Sequence, residues 1–407
     1  MSVIGLRKLL EATAKPERLI VGMMSGSSVD GIDAALVHVE GCCENTSFEL
    51  VDFVCRSFAP EEKSAILGLF DYEGSTVDRV CLMNAVLGEY FAQAAEAVWR
   101  HAGLLASAID AIGVWPQMVY HLPGRSNPQD ILGFHTGACL QLGDLNVIAE
   151  RTGVNTIGSF CERDIAAGGN GAPLTGLGDY IVYHHPERNR IVQNIGGIAN
   201  GNLVPATGGL EAVVGFDTGP GNMVVDEVVR RLSNGSLEYD RDGTMALAGT
   251  VNDELLAEGL RDPFIQQDPP KAAGRENFGE AFTRAFMSRG ERLGLSGNDL
   301  VATATALTVE AIVLNYERHL APRAPIHEVI VGGGGALNPA MLTLLRRRLD
   351  PIPVAVDDDY GVSSFAKEAI YMAFIANEAI MGHPNNVPSV TGARTPVVMG
   401  LIAPAGA

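Results

Sequence analysis

Residues 19–37 read LIVGMMSGSSVDGIDAALV, and this stretch decides the fold. Two apolar runs flank a segment rich in Gly, Ser and Asp, which predicts a β-hairpin. Asp30 could hold a cation at the end of the turn, so the segment suits a phosphate with Mg²⁺ and equally suits a plain hairpin turn. The turn residues that offer backbone N–H groups and short hydroxyls to an anion are Ser25, Gly26, Ser27 and Ser28.

The chain is long enough to form two domains. It has 407 residues, of which 47% are hydrophobic, as in globular proteins with large buried cores. The formal net charge of −19 argues against nucleic acid or an anionic membrane as the main partner, because like charges repel. An anionic small molecule is not excluded, since backbone N–H groups and Mg²⁺ can hold a nucleotide.

The cysteine pattern indicates neither a disulfide framework nor a zinc site. No C-x-x-C pair occurs, and no Cys/His cluster has zinc-binding spacing. We therefore expect reduced thiols, several of them buried, and a cytoplasmic protein. No uninterrupted apolar run approaches membrane-spanning length, and no long apolar segment follows Arg7 and Lys8 as in a secretory signal. The six cysteines are Cys42, Cys43, Cys55, Cys81, Cys139 and Cys161.

Short apolar strands alternate with helical patterns, which predicts an α/β protein whose sheets are covered by helices. Segment 252–275 is acidic and contains proline, so we expect a surface excursion there. The predicted strands cover residues 19–24, 111–114, 190–193, 212–216 and 328–331. The predicted helices cover residues 80–100, 301–320 and 364–380.

Asp164 precedes a glycine-rich segment, residues 165–174, that cannot be regular helix or strand. A carboxylate held on a rigid strand end could act there as a general base toward a bound substrate. The alternative is that Asp164 caps the following turn or helix.

Two further segments combine glycine with polar residues. Residues 193–200, which contain Gly196 and Gly197, suit close approach to a phosphate or a tight turn. Residues 215–222 resemble the hairpin turn in kind, although Gly-rich turns also resemble one another by chance. Asp217 and Asp226 could coordinate Mg²⁺ there while the glycines cradle phosphates.

The last such segment, residues 331–338, places four glycines between a predicted strand and a helix, where a nucleotide base could lie against the backbone. Each segment is weakly diagnostic alone, because the chain has no Walker A motif and no Rossmann fingerprint after a strand. Ligand-binding loops still explain best why so many strands run into glycines, which cost conformational entropy.

Taken together, these segments resemble the anhydro-N-acetylmuramic acid kinases and the related fungal levoglucosan kinases. The resemblance runs from about residue 19 to residue 401, with the motifs in the family's order. EYDRDG at 238–243 and DPPK at 268–271 are similar to the levoglucosan kinase branch. The signature segments are residues 25–33, 164–174, 194–200, 215–222, 332–338 and 367–369.

The resemblance implies the two-domain α/β fold of sugar kinases, Hsp70 and actin, which is ribonuclease H-like, with ATP and Mg²⁺ in a cleft between the domains. We expect domain I to comprise residues 1–140 with about 380–407, and domain II to comprise residues 141–379. The implied reaction opens the 1,6-anhydro bridge of a sugar with water and phosphorylates the freed 6-oxygen.

The resemblance also implies roles for individual residues. Asp164 matches the general base that activates the water. The implied metal ligands are Asp30, Asp217 and Glu368, and the implied sugar-binding residues are Gln117, Asn170, Gly171 and Pro173. The implied nucleotide-binding residues are Ser25, Gly26, Ser27, Ser28, Asp30, Gly196, Gly197, Asp217, Thr218, Gly219, Gly221, Asn222, Gly333, Gly334, Gly335 and Asn338.

The chain departs from the family pattern on the implied sugar side. Residues 115–118 read WPQM where the family has His-Gly-Gln-Thr, and residues 159–161 read SFC where it has Asp-Phe-Arg. Asn170 replaces a Gln. Losing the arginine removes an anchor for the lactyl carboxylate of anhydro-N-acetylmuramic acid. We therefore expect an uncharged acceptor such as levoglucosan, unless Arg163 or Arg125 takes over the anchoring.

Two functions remain open. One is an active kinase of a 1,6-anhydro-sugar, cytoplasmic, with a small-molecule sugar partner and no nucleic acid or membrane partner. The other is a divergent nucleotide-binding member that has lost catalysis and acts as a regulator or scaffold. The resemblance also allows a homodimer.

Overall fold

The computed structural model describes residues 4–71, 73–124 and 129–406. In these ranges the strands are β1 (Glu17–Met24), β2 (Gly31–Glu40), β3 (Ser47–Ser57), β4 (Ala111–Trp115), β5 (Gln117–Leu122), β6 (Gln129–Ile131), β7 (Phe134–Thr136), β8 (Ala138–Leu142), β9 (Thr156–Gly158), β10 (Arg190–Ile195), β11 (Ile198–Val204), β12 (Val214–Pro220), β13 (Glu328–Gly332), β14 (Val354–Val356) and β15 (Leu401–Ala403).

The helices are α1 (Ile4–Thr13), α2 (Pro60–Leu67), α3 (Val77–His101), α4 (Leu145–Thr152), α5 (Phe160–Ala166), α6 (Gly176–Tyr183), α7 (Met223–Leu232), α8 (Thr244–Ala248), α9 (Asp253–Gly259), α10 (Pro263–Gln266), α11 (Arg275–Phe278), α12 (Glu280–Arg292), α13 (Gly297–Asn315), α14 (Pro339–Leu349), α15 (Lys367–Met381) and α16 (Pro388–Thr391). A π-helical turn, Tyr316–Leu320, continues α13.

The chain divides into two compact units, which we describe separately. The first comprises Met1–Val182 and Phe365–Ala407, and the second comprises Tyr183–Ser364. These units differ from the predicted domains, whose boundaries lie at 140 and about 380. Residues 141–182 stay in the first unit because β9 extends its sheet beside β4. Residues 365–379 stay there because α15 packs on β1 and β4.

The six-stranded sheet of the first unit has the order β15-β9-β4-β1-β2-β3. Its centre is the predicted hairpin, in which β1 and β2 pair antiparallel from Glu17 opposite Glu40 to Met24 opposite Asp33. β4 pairs parallel with β1, and β9 pairs parallel with β4. The hairpin prediction is confirmed.

Helix α15 lies directly on this sheet because two strand glycines leave room for it. A Cβ at Gly22 would lie 1.9 Å from the Ala369 carbonyl oxygen, and one at Gly113 would lie 2.3 Å from that of Met372. Any side chain at either glycine would push the helix away, so these residues fix the close approach.

The five-stranded sheet of the second unit has the order β12-β11-β10-β13-β14. β10, β11 and β12 form an antiparallel meander, and β13 and β14 add parallel strands beside β10. In each large sheet, three consecutive strands form a meander. Two later strands, β4 and β9 in the first unit and β13 and β14 in the second, then extend the sheet beside the first strand of that meander. This is the ribonuclease H-like topology, so the predicted α/β fold class is confirmed.

Two expectations about exposure need correction. Segment 252–275 is not simply a surface excursion, because Ile265 and Lys271 are fully buried. Apolar positions pull the segment into the core of the second unit despite its charge. All six cysteines are free, as expected, but only Cys161 is buried and both Cys55 and Cys81 are exposed.

The helix predicted at residues 301–320 is present in the second unit as α13 and the π-helical turn that continues it. Gly297–Leu320 is long and apolar enough to cross a membrane by length and composition, with 72% of its most apolar window buried. Its side chains include Val301, Leu307 and Ile312, all fully buried in the core of the second unit. Burial on all sides of a core helix accounts for the same apolar composition.

Candidate functional site

The β1–β2 turn of the first unit exposes polar groups. Ser27, Ser28 and Asp30 are exposed, whereas Val29 between them is buried with a φ of +56°. The Asp30 carboxylate is 67% exposed and accepts a hydrogen bond from Lys63 Nζ at 2.7 Å. Lys63 lies on α2, outside every predicted motif, so sequence reasoning missed it. The turn thus presents hydroxyls, N–H groups and a paired carboxylate to solvent.

Gln117 supports this turn from behind. Its side chain is fully buried, and Nε2 donates to the carbonyl oxygens of Gly26 and Met118 at 3.3 and 3.1 Å. Ser25 Oγ lies 2.8 Å from both Gln117 Oε1 and the Gly31 carbonyl oxygen. Gln117, a predicted sugar-binding residue, therefore holds the β1–β2 turn in position in this structure.

Asp164 lies on helix α5 and not at a strand end, so that part of the prediction is wrong. The helix begins immediately after β9, which is why a strand end looked plausible. The carboxylate is fully buried. Its Oδ1 accepts from Asn386 Nδ2 at 2.8 Å and from Thr391 Oγ1 at 2.7 Å, and its Oδ2 accepts from the Gly171 N–H at 2.9 Å.

The glycine-rich loop wraps tightly around this carboxylate. A Cβ at Gly169 would lie 2.1 Å from Asp164 Oδ2. Gly171 has a φ of +80°, and its Cβ would lie 2.5 Å from Cys161 Sγ. Only glycine fits at both positions. The predicted capping of the following turn is present, because Asp164 holds the Gly171 N–H.

The predicted sugar-binding residues of this loop, Asn170, Gly171 and Pro173, are all buried. The Asn170 N–H donates to the Thr391 carbonyl oxygen at 2.8 Å, and its own carbonyl oxygen accepts from His121 Nε2 at 2.8 Å. Burial lowers the pKa of His121, and the bond to Asn170 opposes that shift. The loop is thus fixed by backbone contacts on both sides.

Sequence reasoning missed the partners of Asp164 because Asn386 and Thr391 follow it by more than two hundred positions. It also missed Arg394, an exposed cation in the segment after α16 that contacts this loop. The Arg394 Nη2 lies 3.5 Å from the Ala166 carbonyl oxygen, and a Cβ at Gly168 would lie 2.5 Å from its Nη1. Arg394 therefore lies against the glycine-rich loop, whereas Arg125 falls outside the described residues.

The second unit brings two predicted glycine segments together. The Gly196 carbonyl oxygen accepts from the Asn222 N–H at 2.7 Å, and that of Gly197 accepts from the N–H groups of Gly221 and Met223 at 3.1 and 3.2 Å. A Cβ at Gly221 would lie 2.1 Å from the Gly196 oxygen. The N–H groups of Gly221, Asn222 and Met223 are thus hydrogen-bonded within the fold, so in this structure they are not available to an anion.

The third glycine segment packs on the same hairpin. Gly333 has a φ of +74°, and its Cβ would lie 2.5 Å from Asn194 Oδ1 and 2.9 Å from the Ile195 oxygen. A Cβ at Gly335 would lie 2.4 Å from Ile195. Asn194 Oδ1 is buried without a hydrogen-bond partner among the described residues. This acceptor lies beside Gly333, where the glycine segments pack together.

Asp217 lies within β12 and is only 6% exposed. Its Oδ2 accepts from the Ala273 N–H at 2.7 Å. Burial raises the pKa of Asp217 to about 7, while that hydrogen bond and the nearby Lys271 ammonium oppose the shift. Lys271 is fully buried and donates to the Phe264 and Ile265 carbonyl oxygens. Its pKa is lowered by burial to about 8.

Other predicted nucleotide-binding residues have structural roles in this fold. Thr218 Oγ1 donates to the Ala199 carbonyl oxygen at 3.1 Å, and Asn338 Oδ1 accepts from the Ala340 N–H at 3.0 Å as the N-cap of α14. Gly219 has a φ of +150° and follows Thr218 in β12. Of the predicted metal ligands, Asp30 and Glu368 belong to the first unit and Asp217 to the second.

Comparison with known proteins identifies the family. The family model described as Anhydro-N-acetylmuramic acid kinase matches residues 18–405. An anhydro-N-acetylmuramic acid kinase from Caldanaerobacter subterraneus subsp. tengcongensis is 44% identical, covering 97% of this chain and 99% of that protein. One from Bacillus cereus strain G9842 is 41% identical, covering 94% of this chain and 98% of that protein.

Likeness to solved structures is more remote. The activator of the 2-hydroxyisocaproyl-CoA dehydratase from Clostridium difficile, with bound ADPNP, has a TM-score of 0.41 and 12% identity, covering 89% of this chain and 95% of that chain. The sequence relationship, at 41–44% identity over nearly the whole chain, is therefore decisive. The chain belongs to the anhydro-N-acetylmuramic acid kinase family and is a phosphotransferase that acts on a sugar.

Proposed function

We propose that this protein hydrolyses the anhydro bridge of 1,6-anhydro-N-acetylmuramic acid and phosphorylates its 6-oxygen with ATP. The observation that carries the proposal is the Asp164 site, where a fully buried carboxylate is held by three protein donors and wrapped by a glycine-rich loop. Relatives with that named activity, at 41–44% identity over nearly the whole chain, support the choice of sugar.

Asp164 is suited to act as the base. A carboxylate that accepts several hydrogen bonds is stabilised in its ionised form. Its two oxygens offer about four lone-pair sites, of which three are used here, so one remains for a water proton. The water would add to the anomeric carbon as the bond from that carbon to O6 breaks, and O6 would take the phosphoryl group. Because the carboxylate is buried, the glycine-rich loop must shift to admit the sugar.

Each unit, taken by itself, offers groups suited to part of a nucleotide or its metal. Asn194 Oδ1, a buried acceptor without a partner among the described residues, suits a hydroxyl or amine of a nucleoside beside Gly333. The exposed hairpin turn suits a phosphate, and Asp30 suits a hydrated Mg²⁺ in exchange for Lys63. Glu368 and Asp217 are further candidate ligands. When bound, Mg²⁺ neutralises charge on the phosphates.

The choice between sugars depends on the lost arginine. Cys161 occupies its place, fully buried against Gly171, and cannot anchor a carboxylate. Arg394, which lies against the glycine-rich loop, is the cation that we propose as the substitute anchor for the lactyl group. If it does not serve, the uncharged levoglucosan becomes the better acceptor.

The test is a comparison of kcat/KM for the two anhydro-sugars, with wild type and with Arg394→Gln. We expect anhydro-N-acetylmuramic acid to be preferred by wild type, and the preference to fall about tenfold, or about 1.4 kcal/mol, in the variant. Arg163→Gln, at the exposed arginine on the Asp164 helix that the sequence offered as an anchor, tests the alternative and should keep the wild-type preference if Arg394 is the anchor. A tenfold wild-type preference for levoglucosan would refute our choice of sugar.

The second candidate is a nucleotide-binding protein without catalysis. The observation that favours it is that capping of the Gly171 N–H already accounts for Asp164 in the fold. Calorimetry with ATP, with and without Mg²⁺, separates the two. ATP binding without turnover of either sugar would support this candidate, and no heat at millimolar ATP would refute both.

A further inference from the structure

Three metal-ligating side chains meet in the first unit, away from every residue assigned above. Cys42, Cys43 and His383 offer ligand atoms that all lie within 4.8 Å of one another, and each side chain is half-buried. Spacing along the sequence excluded a zinc motif, because the histidine is far from the cysteines in the chain. Folding brings them together.

The cysteines lie in the connection between β2 and β3, which has an unusual backbone. Gly41 has a φ of +76° and Cys43 has a φ of +55°. A positive φ is uncommon for a residue other than glycine and marks a turn that its surroundings hold in place. This turn, unlike an extended strand, lets neighbouring thiols point to the same side.

The histidine follows the C-terminal end of α15. Gly382 caps the helix with a φ of +73°, and the His383 N–H donates to the Glu378 carbonyl oxygen at 2.9 Å. A helix C-terminus carries partial negative charge, which favours a cation at this position.

Buried polar contacts tie the two segments together. Arg18 is 2% exposed, and its Nη2 donates to the Gly41 carbonyl oxygen while its Nε donates to Asn377 Oδ1, at 2.7 and 2.6 Å. Glu378 is fully buried, and its Oε1 accepts from the Cys43 N–H at 2.9 Å. The thiols therefore face the end of α15 in a fixed arrangement.

Glu378 also supplies a nearby oxygen. Its Oε2 lies 3.5 Å from Cys43 Sγ. In a tetrahedral zinc site, with bonds of about 2.3 Å to sulfur and about 2.0 Å to oxygen or nitrogen, neighbouring ligand atoms are roughly 3.5–3.8 Å apart. The Cys43–Glu378 distance matches that of a sulfur next to an oxygen, and the ligand atoms of Cys42, Cys43 and His383, within 4.8 Å of one another, need to approach by a little over an ångström at most.

We propose that Cys42, Cys43 and His383 bind one divalent cation of the zinc class, with Glu378 beside Cys43 and the fourth position open to water. Two thiolates and an imidazole select a borderline-soft cation over Mg²⁺, which prefers oxygen. The bound cation joins the β2–β3 connection to the end of α15. Because the folded protein alone assembles these ligands, binding should raise its thermal stability.

The first test uses the wild-type protein, stripped with a chelator and kept reduced with a phosphine. One equivalent of Co²⁺ should give a sulfur-to-cobalt charge-transfer band and the visible bands of tetrahedral cobalt, both lost on adding Zn²⁺. Zn²⁺ should also protect Cys42 and Cys43 from alkylation while Cys55 and Cys81 stay reactive. Unchanged alkylation of Cys42 and Cys43 with excess Zn²⁺ would overturn the proposal, whatever the variants do.

The second test measures Zn²⁺ affinity by competition with a chromophoric chelator. Cys42→Ser, Cys43→Ser and His383→Gln should each weaken binding by about tenfold or more, since even outer partners of a metal site are worth that much. Cys81→Ser, at an exposed thiol outside the cluster, is the matched control and should bind as wild type does. Equal affinity in the control and all three variants would mean that Zn²⁺ binds elsewhere.

Discussion

The β1–β2 hairpin and the β10–β11 hairpin occupy the same position in two sheets of the same strand order, but their turns differ. The first turn leaves Ser27, Ser28 and Asp30 exposed. In the second, the carbonyl oxygens of Gly196 and Gly197 accept N–H groups from the segment after β12. The first turn is therefore open to solvent at these side chains, whereas the carbonyl oxygens of the second turn are bonded to its own chain.

This difference shows that a shared topology fixes where a turn lies but not what it can bind. The sequence resemblance between residues 24–31 and 216–222 joined segments that are not topologically equivalent. The first spans the β1–β2 turn, whereas the second runs from within β12 past its end. Asp217 therefore lies inside a strand, nearly buried, while Asp30 lies at the mouth of a turn.

The largest expected effect comes from Asp164. Asp164→Asn should lower kcat by roughly two to four orders of magnitude, because the amide cannot take a proton from water. It should also cost about 1–3 kcal/mol of stability, since its NH₂ must face one of the three donors now bonded to the carboxylate. Steady-state kinetics and urea unfolding measure the two effects separately.

The control for Asp164 is Glu162→Gln, at an exposed residue on the same helix whose carboxyl makes none of the Asp164 contacts. It should leave kcat within a factor of two or so, as an exposed change outside the site usually does. If Asp164→Asn loses stability but keeps turnover, the residue only positions the loop, and the base lies elsewhere.

The hairpin at residues 19–37 could be predicted because an apolar run enters a Gly/Ser/Asp turn and a second apolar run leaves it. The strands at 111–114, 190–193 and 328–331 were predicted for the same reason and are confirmed. The domain boundary could not be predicted, because it depends on contacts between segments that are distant in sequence. β9 pairs with β4, and α15 packs on β1 and β4.

The candidate site was predictable in its glycines and carboxylates but not in their partners. Lys63, Asn386 and Thr391 carry no local signal, since each acts through a contact distant in sequence. Asp164 was expected at a strand end and lies on a short helix, whose start at Phe160 is separated from the end of β9 by Ser159 alone. Long-range geometry, and not local propensity, decided these positions.

The second prediction tests directly whether one turn is open and the other closed. Gly221→Ala should destabilise the protein by about 3 kcal/mol, because its Cβ would lie 2.1 Å from the Gly196 oxygen. Gly26→Ala should change stability by less than about 0.5 kcal/mol, since the nearest atom to its Cβ is Ser28 Oγ at 3.7 Å. Thermal unfolding of the two variants decides, and equal losses would contradict the contrast.

The third prediction concerns the charge at the open turn. Asp30→Asn should raise the Mg²⁺ concentration for half-maximal activity by about tenfold, or about 1.4 kcal/mol, if Asp30 holds hydrated Mg²⁺. Its stability should change by less than about 1 kcal/mol, because the pair with Lys63 is exposed. Lys63→Gln is the matched variant that removes the same pair. A Mg²⁺ titration in which both variants weaken equally would show that the ion pair, and not the carboxylate, matters.

The prediction with the smallest expected effect concerns the contacts that hold α2, the helix of Lys63, next to β3. Arg56 on β3 pairs with both oxygens of Glu62 at 3.0 and 3.1 Å, and Glu62 Oε2 also accepts the Ala59 N–H at the start of α2. The Arg56 guanidinium lowers the pKa of Glu62 to about 2. A lowered folded-state pKa stabilises the fold above the unfolded value of 4.5, and that stabilisation is lost as the pH falls toward 2.

Glu62→Gln should therefore cost about 1 kcal/mol near neutral pH, the value of a well-formed but partly exposed charge pair. The difference from wild type should shrink below pH 4.5 and vanish near pH 2, which urea unfolding at several pH values would measure. Glu61→Gln, at the exposed neighbour in the same helical turn, loses only the interaction with the helix dipole and should show a few tenths of a kcal/mol. A loss in Glu62→Gln that is constant with pH would mean that the side chain stabilises α2 by packing and not by charge.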